Sequence, residues 1–128
     1  MVYQDFLKRI FEKALTEEAS DIHLSVGRHP TIRTDGSLVP LENEKILDAN
    51  DTKELAFLIL EDNKEKFLQE KELDFSYEYK QKSRFRINVF MQQNSISTAM
   101  RFIPFRIRTI EELNLSHSLH SVFISATL

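Results

Sequence analysis

In the stretch Arg84-Phe85-Arg86-Ile87-Asn88-Val89-Phe90-Met91, one set of alternate residues is wholly apolar and the other carries two arginines. Segment 96–103 also alternates, and a period of two is typical of β-strands with one buried face. The residues between the two segments, Gln92 to Ser95, are polar and turn-forming, so we predict a β-hairpin. Its buried face would carry Phe85, Ile87, Val89, Met91, Ile96, Thr98, Met100 and Phe102. Its other face would carry Arg84, Arg86, Asn88, Phe90, Ser97, Ala99, Arg101 and Ile103.

The second face gathers the guanidinium groups of Arg84, Arg86 and Arg101. Like charges at neighbouring strand positions repel, so a bound anion, acidic neighbours or open solvent must compensate them. Guanidinium groups suit phosphate because they are planar, always charged and able to donate two parallel hydrogen bonds. Two interpretations therefore remain open at this point: a phosphate-contacting surface and a strand face held by salt bridges.

Acidic neighbours for these arginines are expected from the preceding segment, 73–79, which also alternates. The apolar faces of both strands must coincide, so the connecting loop needs an odd number of unpaired residues. A loop of Gln81 to Ser83 satisfies this condition. It would place Glu78 opposite Arg86 and Asp74 opposite Phe90, where the two carboxylates partly neutralise the arginine face.

The rest of the chain predicts helices around this sheet. Amphipathic spacing indicates a helix over 2–18 and another over 48–60, the latter capped by Asp48 or Asn50. A shorter helix ending near residue 71 would turn Phe67 and Leu68 inward. Strands are predicted over 19–26, with Val26 inward, over 31–34 and over 37–41, and Asp35-Gly36 suits a two-residue hairpin turn. The resulting fold class is α+β, a mostly antiparallel sheet with helices packed on it.

Composition narrows the possible functions. The 128 residues, 41% of them hydrophobic, are enough for one domain with a real core. There is no cysteine, and the four histidines show no zinc-binding spacing. Only Gly27 and Gly36 are glycines, so neither a P-loop nor a dinucleotide fingerprint can be built. A net charge of −3 argues against general nucleic-acid binding, and no apolar run approaches the roughly 20 residues of a membrane span. We interpret His23 as structural rather than catalytic.

Six segments of the chain, in order, resemble one known family. They are residues 19–27 (ASDIHLSVG), 32–36 (IRTDG), 73–76 (LDFS), 84–90 (RFRINVF), 101–104 (RFIP) and 111–113 (EEL). Together they are similar to the N-terminal domain of the PilT family, the retraction ATPases of type IV pili within the secretion ATPase superfamily. The resemblance covers roughly residues 3 to 115, and the motifs are specific as a set rather than singly.

This resemblance implies a PAS-like α+β domain over residues 1–104, followed over 105–128 by a linker and the start of a RecA-like ATPase domain. It implies a cytoplasmic, hexameric motor for twitching motility, placed at the periphery of the inner membrane beside the pilus platform protein. In the family, arginines of the corresponding strands reach the phosphates of ATP, bound with Mg, which the RecA-like domain mainly holds. Carried over by position, Arg86 is the first candidate for this contact, followed by Arg84 and Arg101. No metal-binding or catalytic residue is carried over.

The chain also departs from the family. The Walker A loop, acidic box, Walker B strand and histidine box are absent, Asn114 stands where the family often has Gly, and Ser116 where it commonly has Pro. We therefore expect part of a longer motor or a shortened relative, which alone binds ATP weakly or not at all and is inactive as an ATPase. The alternative is a free-standing PAS-like domain that binds a ligand or dimerises. An RNA-binding platform, suggested by arginines alternating with aromatic residues, fits the net charge poorly.

Overall fold

The computed structural model describes residues 2–80 and 83–103. In chain order its elements are α1 (Tyr3–Thr16), β1 (Asp21–Leu24), β2 (Thr31–Thr34), β3 (Ser37–Pro40), α2 (Ala49–Leu60), a 3₁₀ turn (Glu61–Asn63), α3 (Lys64–Glu70), β4 (Glu72–Tyr79), β5 (Ser83–Gln92) and β6 (Ser95–Ile103). The α+β fold class is therefore confirmed. The 3₁₀ turn was not predicted. The proposed domain boundary at residue 104 and the segment 105–128 lie outside the described residues.

The six strands form one sheet in the order β3-β2-β1-β6-β5-β4, and every neighbouring pair is antiparallel. β6 pairs with β1, and this pairing joins strands β1 to β3 to strands β4 to β6. Two-residue turns connect β2 to β3 and β5 to β6, where Asp35-Gly36 and Gln93-Asn94 all have positive φ. Two consecutive positive φ angles give a turn whose twist matches that of the strands it joins.

The register of the central hairpin confirms its predicted faces. Phe85 lies opposite Phe102, and Arg86 lies opposite Arg101. The register predicted for the preceding hairpin is wrong by two residues. Tyr79 pairs with Ser83, which places Glu78 opposite Arg84 rather than Arg86, and Asp74 opposite Asn88 rather than Phe90. Three residues separate Tyr79 from Ser83, so the odd loop length, and with it the matching of the apolar faces, is preserved.

The helices cover one face of the sheet. Apolar side chains from α1, α2 and α3 share a single core with the inward residues of the strands. Phe11 of α1 is its aromatic centre, with ring centroids 4.8 Å from Tyr79, 5.1 Å from Phe85 and 5.9 Å from Tyr77. Three residues predicted to face the core do not, because Val26 and Met91 are each 38% exposed and Leu68 is 43% exposed.

The amino-terminal ends of α1 and α2 are held together by polar contacts. Asp48 caps α2 in a reciprocal capping box with Asp51, as the sequence predicted for one of its two candidates. The Tyr3 hydroxyl donates a hydrogen bond to Asp51 at 3.0 Å, and Lys45 forms an ion pair with the same carboxylate at 2.8 Å. Burial of Asp51 would raise its pKa, but these partners outweigh burial and lower it.

The opposite face of the sheet, which we call the open face, is not covered by any of the described helices. Within the part of the chain that the structure describes, no helix is long and apolar enough to cross a membrane. The likeness to PAS domains stays a prediction.

Candidate functional site

A row of paired residues crosses all six strands on the open face. From β3 to β4 its members are Leu38, Arg33, Asp21, Arg101, Arg86 and Ser76, each directly opposite the next. We call this set the cross-strand row. It contains two of the three arginines singled out in the sequence, and it adds a third arginine and a carboxylate from the amino-terminal strands.

Arg86 and Arg101 face each other on neighbouring strands, a pairing that like charges disfavour. Each is compensated by a carboxylate: Arg86 Nε lies 3.0 Å from Asp74 Oδ1, and Arg101 Nε lies 3.2 Å from Asp21 Oδ1. The two arginine side chains nevertheless remain 66% and 77% exposed. A guanidinium group has five N–H donors, so an ion pair through Nε does not exhaust its capacity to bind an anion.

Arg84 completes the arginine set two residues before Arg86 on the same face of β5. Its cross-strand neighbours are Glu78 on β4 and Ile103 on β6, and it is exposed. The structure thus brings Arg84, Arg86 and Arg101 together on one surface, as the alternation predicted. It also supplies them with acidic neighbours.

Sequence reasoning missed two residues of this site, Arg33 and Asp21, and Asp21 is the more deeply buried. Only 8% of it is exposed, and it accepts hydrogen bonds from Ser20 Oγ at 2.7 Å and Arg101 Nε at 3.2 Å. Arg33 Nε lies 3.6 Å from its second oxygen. Burial would raise the pKa of Asp21, but the hydrogen bonds from Ser20 and Arg101 and the charge of Arg101 outweigh burial and lower it. Asp21 is therefore a buried anion that anchors the central strands.

His23 lies on the same face but outside the cross-strand row. It is half-buried between Thr31 on β2 and Ala99 on β6. Its interpretation as a structural residue remains a prediction. Among residues 2–80 and 83–103, no group of three or more potential ligands lies close enough together to hold a metal ion.

The relatives found by sequence comparison include two type IV pilus ATPases. No protein-family model matches the chain. The type IV pilus retraction ATPase PilT of Pseudomonas aeruginosa is 38% identical over 103 residues, which are 76% of this chain and 28% of PilT. The type IV pilus ATPase PilU of the same organism is 23% identical over 125 residues, or 98% of this chain and 32% of PilU. The chain thus spans about a third or less of the length of the relatives it matches.

Solved structures agree with this result. The crystal structure of the pilus retraction motor PilT with bound ADP superimposes with a TM-score of 0.72 at 32% identity, covering 80% of this chain and 30% of that one. The ATPase DotB of Legionella pneumophila gives a TM-score of 0.66 at 23% identity over 91% of this chain and 33% of DotB, which supports the fold alone. The chain is therefore homologous to the N-terminal region of the type IV pilus ATPases PilT and PilU, and it has the fold of that region.

Proposed function

We propose that this domain is the N-terminal regulatory and oligomerisation module of a hexameric type IV pilus retraction ATPase that drives twitching motility. The 38% identity to the Pseudomonas retraction ATPase supports this assignment, as does the superposition on a PilT structure. In this proposal a RecA-like ATPase domain holds most of the nucleotide, ATP with Mg. The module contributes contacts to that domain and to neighbouring subunits of the ring.

Arg86 is the proposed main contact to the nucleotide phosphates, with Arg84 and Arg101 beside it. The observation that carries this proposal is the exposed pair Arg86 and Arg101 on the open face. An arginine from another domain can stabilise the negative charge that develops on a transferring phosphoryl group. The face that presents these arginines is free of the described helices, so a neighbouring domain can reach it.

The arginines differ in how much stability is lost when each leaves its carboxylate partner to bind a phosphate. Exposed ion pairs are worth only about 0–1 kcal/mol, so a phosphate can displace Asp74, which is itself 47% exposed, from Arg86. Asp21 is buried and would be left with less compensation if Arg101 turned away. Arg86 is therefore the arginine that can be given up to a phosphate at the lowest cost in stability.

The setting of the module follows from the same homology and is proposed with it. The partners would be the ATPase domain, neighbouring ring subunits and the platform protein of the pilus at the inner membrane. The location would be the cytoplasm and the periphery of that membrane. We propose no contact with nucleic acid, in keeping with the net charge of −3.

A chimeric motor tests the proposal directly. Residues 1–104 of this chain would replace the corresponding domain of Pseudomonas PilT, and ATP hydrolysis would be compared for Arg86→Gln, Arg84→Gln and Arg101→Gln. We expect Arg86→Gln to lower the maximal rate at least about tenfold, since a lost donor to the transition state typically costs this much or more. Lys53→Gln is the matched control, because it removes one positive charge from an exposed position on α2.

Two outcomes would contradict the proposal. One is hydrolysis by the Arg86→Gln chimera at the control rate, with an unchanged circular dichroism spectrum. The other is submicromolar affinity of the unmodified 128-residue chain for ATP in calorimetry, with NMR shifts centred on Arg84, Arg86 and Arg101, because the proposed site is incomplete without the ATPase domain. The alternative, a free-standing ligand-binding or dimerisation domain, would then gain support. A tight dimer at micromolar concentration would favour it as well.

A further inference from the structure

A cavity of about 510 Å³ opens on the open face, and its lining includes Leu38 and Arg33 of the cross-strand row but not Arg101 or Arg86. Its walls come from β1, β2, β3, the loop between β1 and β2, the end of β5, the start of β6 and the turn between them. Its polar and charged lining residues include His23, Arg28, His29, Arg33, Gln92 and Ser97. Its volume lies within the range of roughly 300–1,000 Å³ that is usual for small-molecule sites.

The loop wall of this cavity is held in place by backbone hydrogen bonds. Gly27 N donates to Leu47 O at 2.8 Å, and Leu47 N donates to Arg28 O at 2.9 Å. Leu47 is fully buried, so these bonds tie the loop to the core. Gly27 has φ +82, a conformation that glycine adopts without strain. The backbone position of Arg28 is therefore set by the fold before any ligand arrives.

The His29 ring is fixed as well. Its Nδ1 lies 2.7 Å from the carbonyl oxygen of Glu44. A carbonyl oxygen can only accept a hydrogen bond, so Nδ1 carries a proton and donates it. The other ring nitrogen, Nε2, is not used in this contact. Because the ring is already held, it would lose little freedom on binding a ligand.

Charge identifies the kind of ligand. The cavity lining combines two guanidinium groups and two imidazoles with amides and hydroxyls, and none of its described residues is acidic. This is notable in a chain whose net charge is −3. Asp21, just outside the lining, compensates Arg33 only at 3.6 Å. Polar donors converging with positive charge in a preformed cavity match a phosphate group, which offers several acceptor oxygens.

We propose that this cavity binds a small phosphate-bearing molecule at Arg28, Arg33, His23 and His29. The site differs from the arginine surface proposed for nucleotide contact, because Arg84, Arg86 and Arg101 are not part of its lining. Ser97 in the cavity and Arg101 lie four positions apart along β6, about 13 Å at the usual rise of a strand. The inference therefore stands or falls independently of the proposed motor function.

Titration of the 128-residue chain with inorganic pyrophosphate tests this proposal. Binding would be measured by calorimetry and located by NMR, following the side-chain signals of the histidines and arginines at constant ionic strength. We expect shifts centred on His23, Arg28 and His29, and roughly tenfold weaker binding by Arg28→Gln and by His29→Gln, as for loss of a charged hydrogen bond. In His29→Gln the amide can still donate to the Glu44 carbonyl, which guards against a misfolded loop.

The control is again Lys53→Gln, which removes one positive charge from an exposed helix position distant from the cavity in sequence. Equal weakening by Lys53→Gln would overturn the proposal, because it would indicate unspecific attraction. Citrate binding as tightly as pyrophosphate would overturn the assignment to phosphate. Shifts centred on Arg84, Arg86 and Arg101 would also overturn the cavity site, and they would support phosphate contact at the arginine surface instead.

Discussion

The two faces of the sheet use the same strands for different purposes. On β5 the alternate residues Phe85, Ile87 and Val89 are at most 1% exposed, whereas Arg84 and Arg86, which alternate with them, are exposed. The helix-covered face is filled with apolar side chains, and the open face is an array of charges. Because a strand directs successive side chains to opposite faces, chemistry on one face can vary without disturbing the packing of the other.

Apolar burial on the covered face and ion pairs on the open face contribute very different amounts to the free energy of unfolding. A fully buried large apolar side chain stabilises the fold by about 1.5–3 kcal/mol, whereas an exposed ion pair contributes about 0–1 kcal/mol. We therefore expect stability to depend mainly on the covered face. Residues of the open face should be needed mainly for binding, with the buried Asp21 as the exception.

The largest expected effect is on the covered face. Phe11→Ala should lower the free energy of unfolding by about 3–5 kcal/mol, because the ring is 2% exposed and contacts three other aromatic rings. Urea denaturation followed by circular dichroism would measure the loss. Phe90→Ala is the matched comparison, since Phe90 is a half-buried phenylalanine on the open face. A loss from Phe90→Ala as large as that from Phe11→Ala would contradict the division between the faces.

The next largest loss of stability is expected at Asp21, the buried carboxylate of the open face. Asp21→Asn should cost about 2 kcal/mol, because it removes a buried charge that accepts hydrogen bonds from Ser20 and Arg101. Asp74→Asn removes a carboxylate that is 47% exposed and paired with one arginine, so it should cost less than about 1 kcal/mol. Equal losses for the two variants, measured by urea denaturation at neutral pH, would show that burial of Asp21 adds nothing.

The pKa of Asp21 gives this prediction a pH dependence. Its pKa is lowered by folding, so its contribution to stability is present above the ordinary value for aspartate, about 3.9. The contribution is lost as the pH falls below that value and through the lowered pKa of the folded state. The difference in stability between the wild-type chain and Asp21→Asn should therefore be constant from pH 7 to 5 and shrink between pH 4 and 2.

Local sequence patterns predicted most of the fold, because alternation and capping depend on neighbours in the chain. The strands 31–34 and 73–79, the Asp35-Gly36 turn and the cap at Asp48 are all found close to where they were expected. The paired arginines of the central hairpin followed from its alternation and its turn. The side chains of Val26, Leu68 and Met91 were misplaced because each lies at the end of an apolar pattern, where the strand or the core is ending.

The strand order and the exact pairing could not be read from the chain. Nothing local to Asp21 indicates that it lies opposite Arg101, 80 residues later, because that contact depends on β1 lying beside β6. The loop before β5 could hold either of two odd registers, and parity alone does not separate them. The cavity combines the loop before β2 with the turn after β5, so it too appears only when the sheet is assembled.

Replacing Tyr79, on the covered face, should change the free energy of unfolding by less, and in the opposite direction. Its hydroxyl has no partner in hydrogen-bonding geometry among the described residues, and burial, together with the nearby Glu12 carboxylate, raises its pKa to about 12. Tyr79→Phe should leave stability unchanged or raise it by up to about 1 kcal/mol at pH 8, because an unsatisfied polar group is removed. Marked destabilisation at pH 8 would instead show that the hydroxyl makes a favourable contact.

Because the pKa of Tyr79 is raised in the folded chain, Tyr79 should destabilise the fold at high pH. The folded chain holds the phenol proton more tightly than the unfolded chain does. Stability is therefore retained below pH 10 and lost as the pH rises from about 10 towards 12. Tyr79→Phe should lack this loss, so its advantage over the wild-type chain should grow between pH 8 and 11. Thermal unfolding at the two pH values would measure the difference.

The smallest expected effect is on the open face and bears most on function. A double-mutant cycle of Arg86→Gln and Asp74→Asn should give a coupling energy below about 1 kcal/mol at 0.1 M salt, because both side chains are about half or more exposed. A weak coupling would mean that folding does not need this ion pair, so Arg86 can turn to a phosphate without loss of stability. A coupling above about 2 kcal/mol would favour the other interpretation of the arginine face, in which salt bridges between strands are its main purpose.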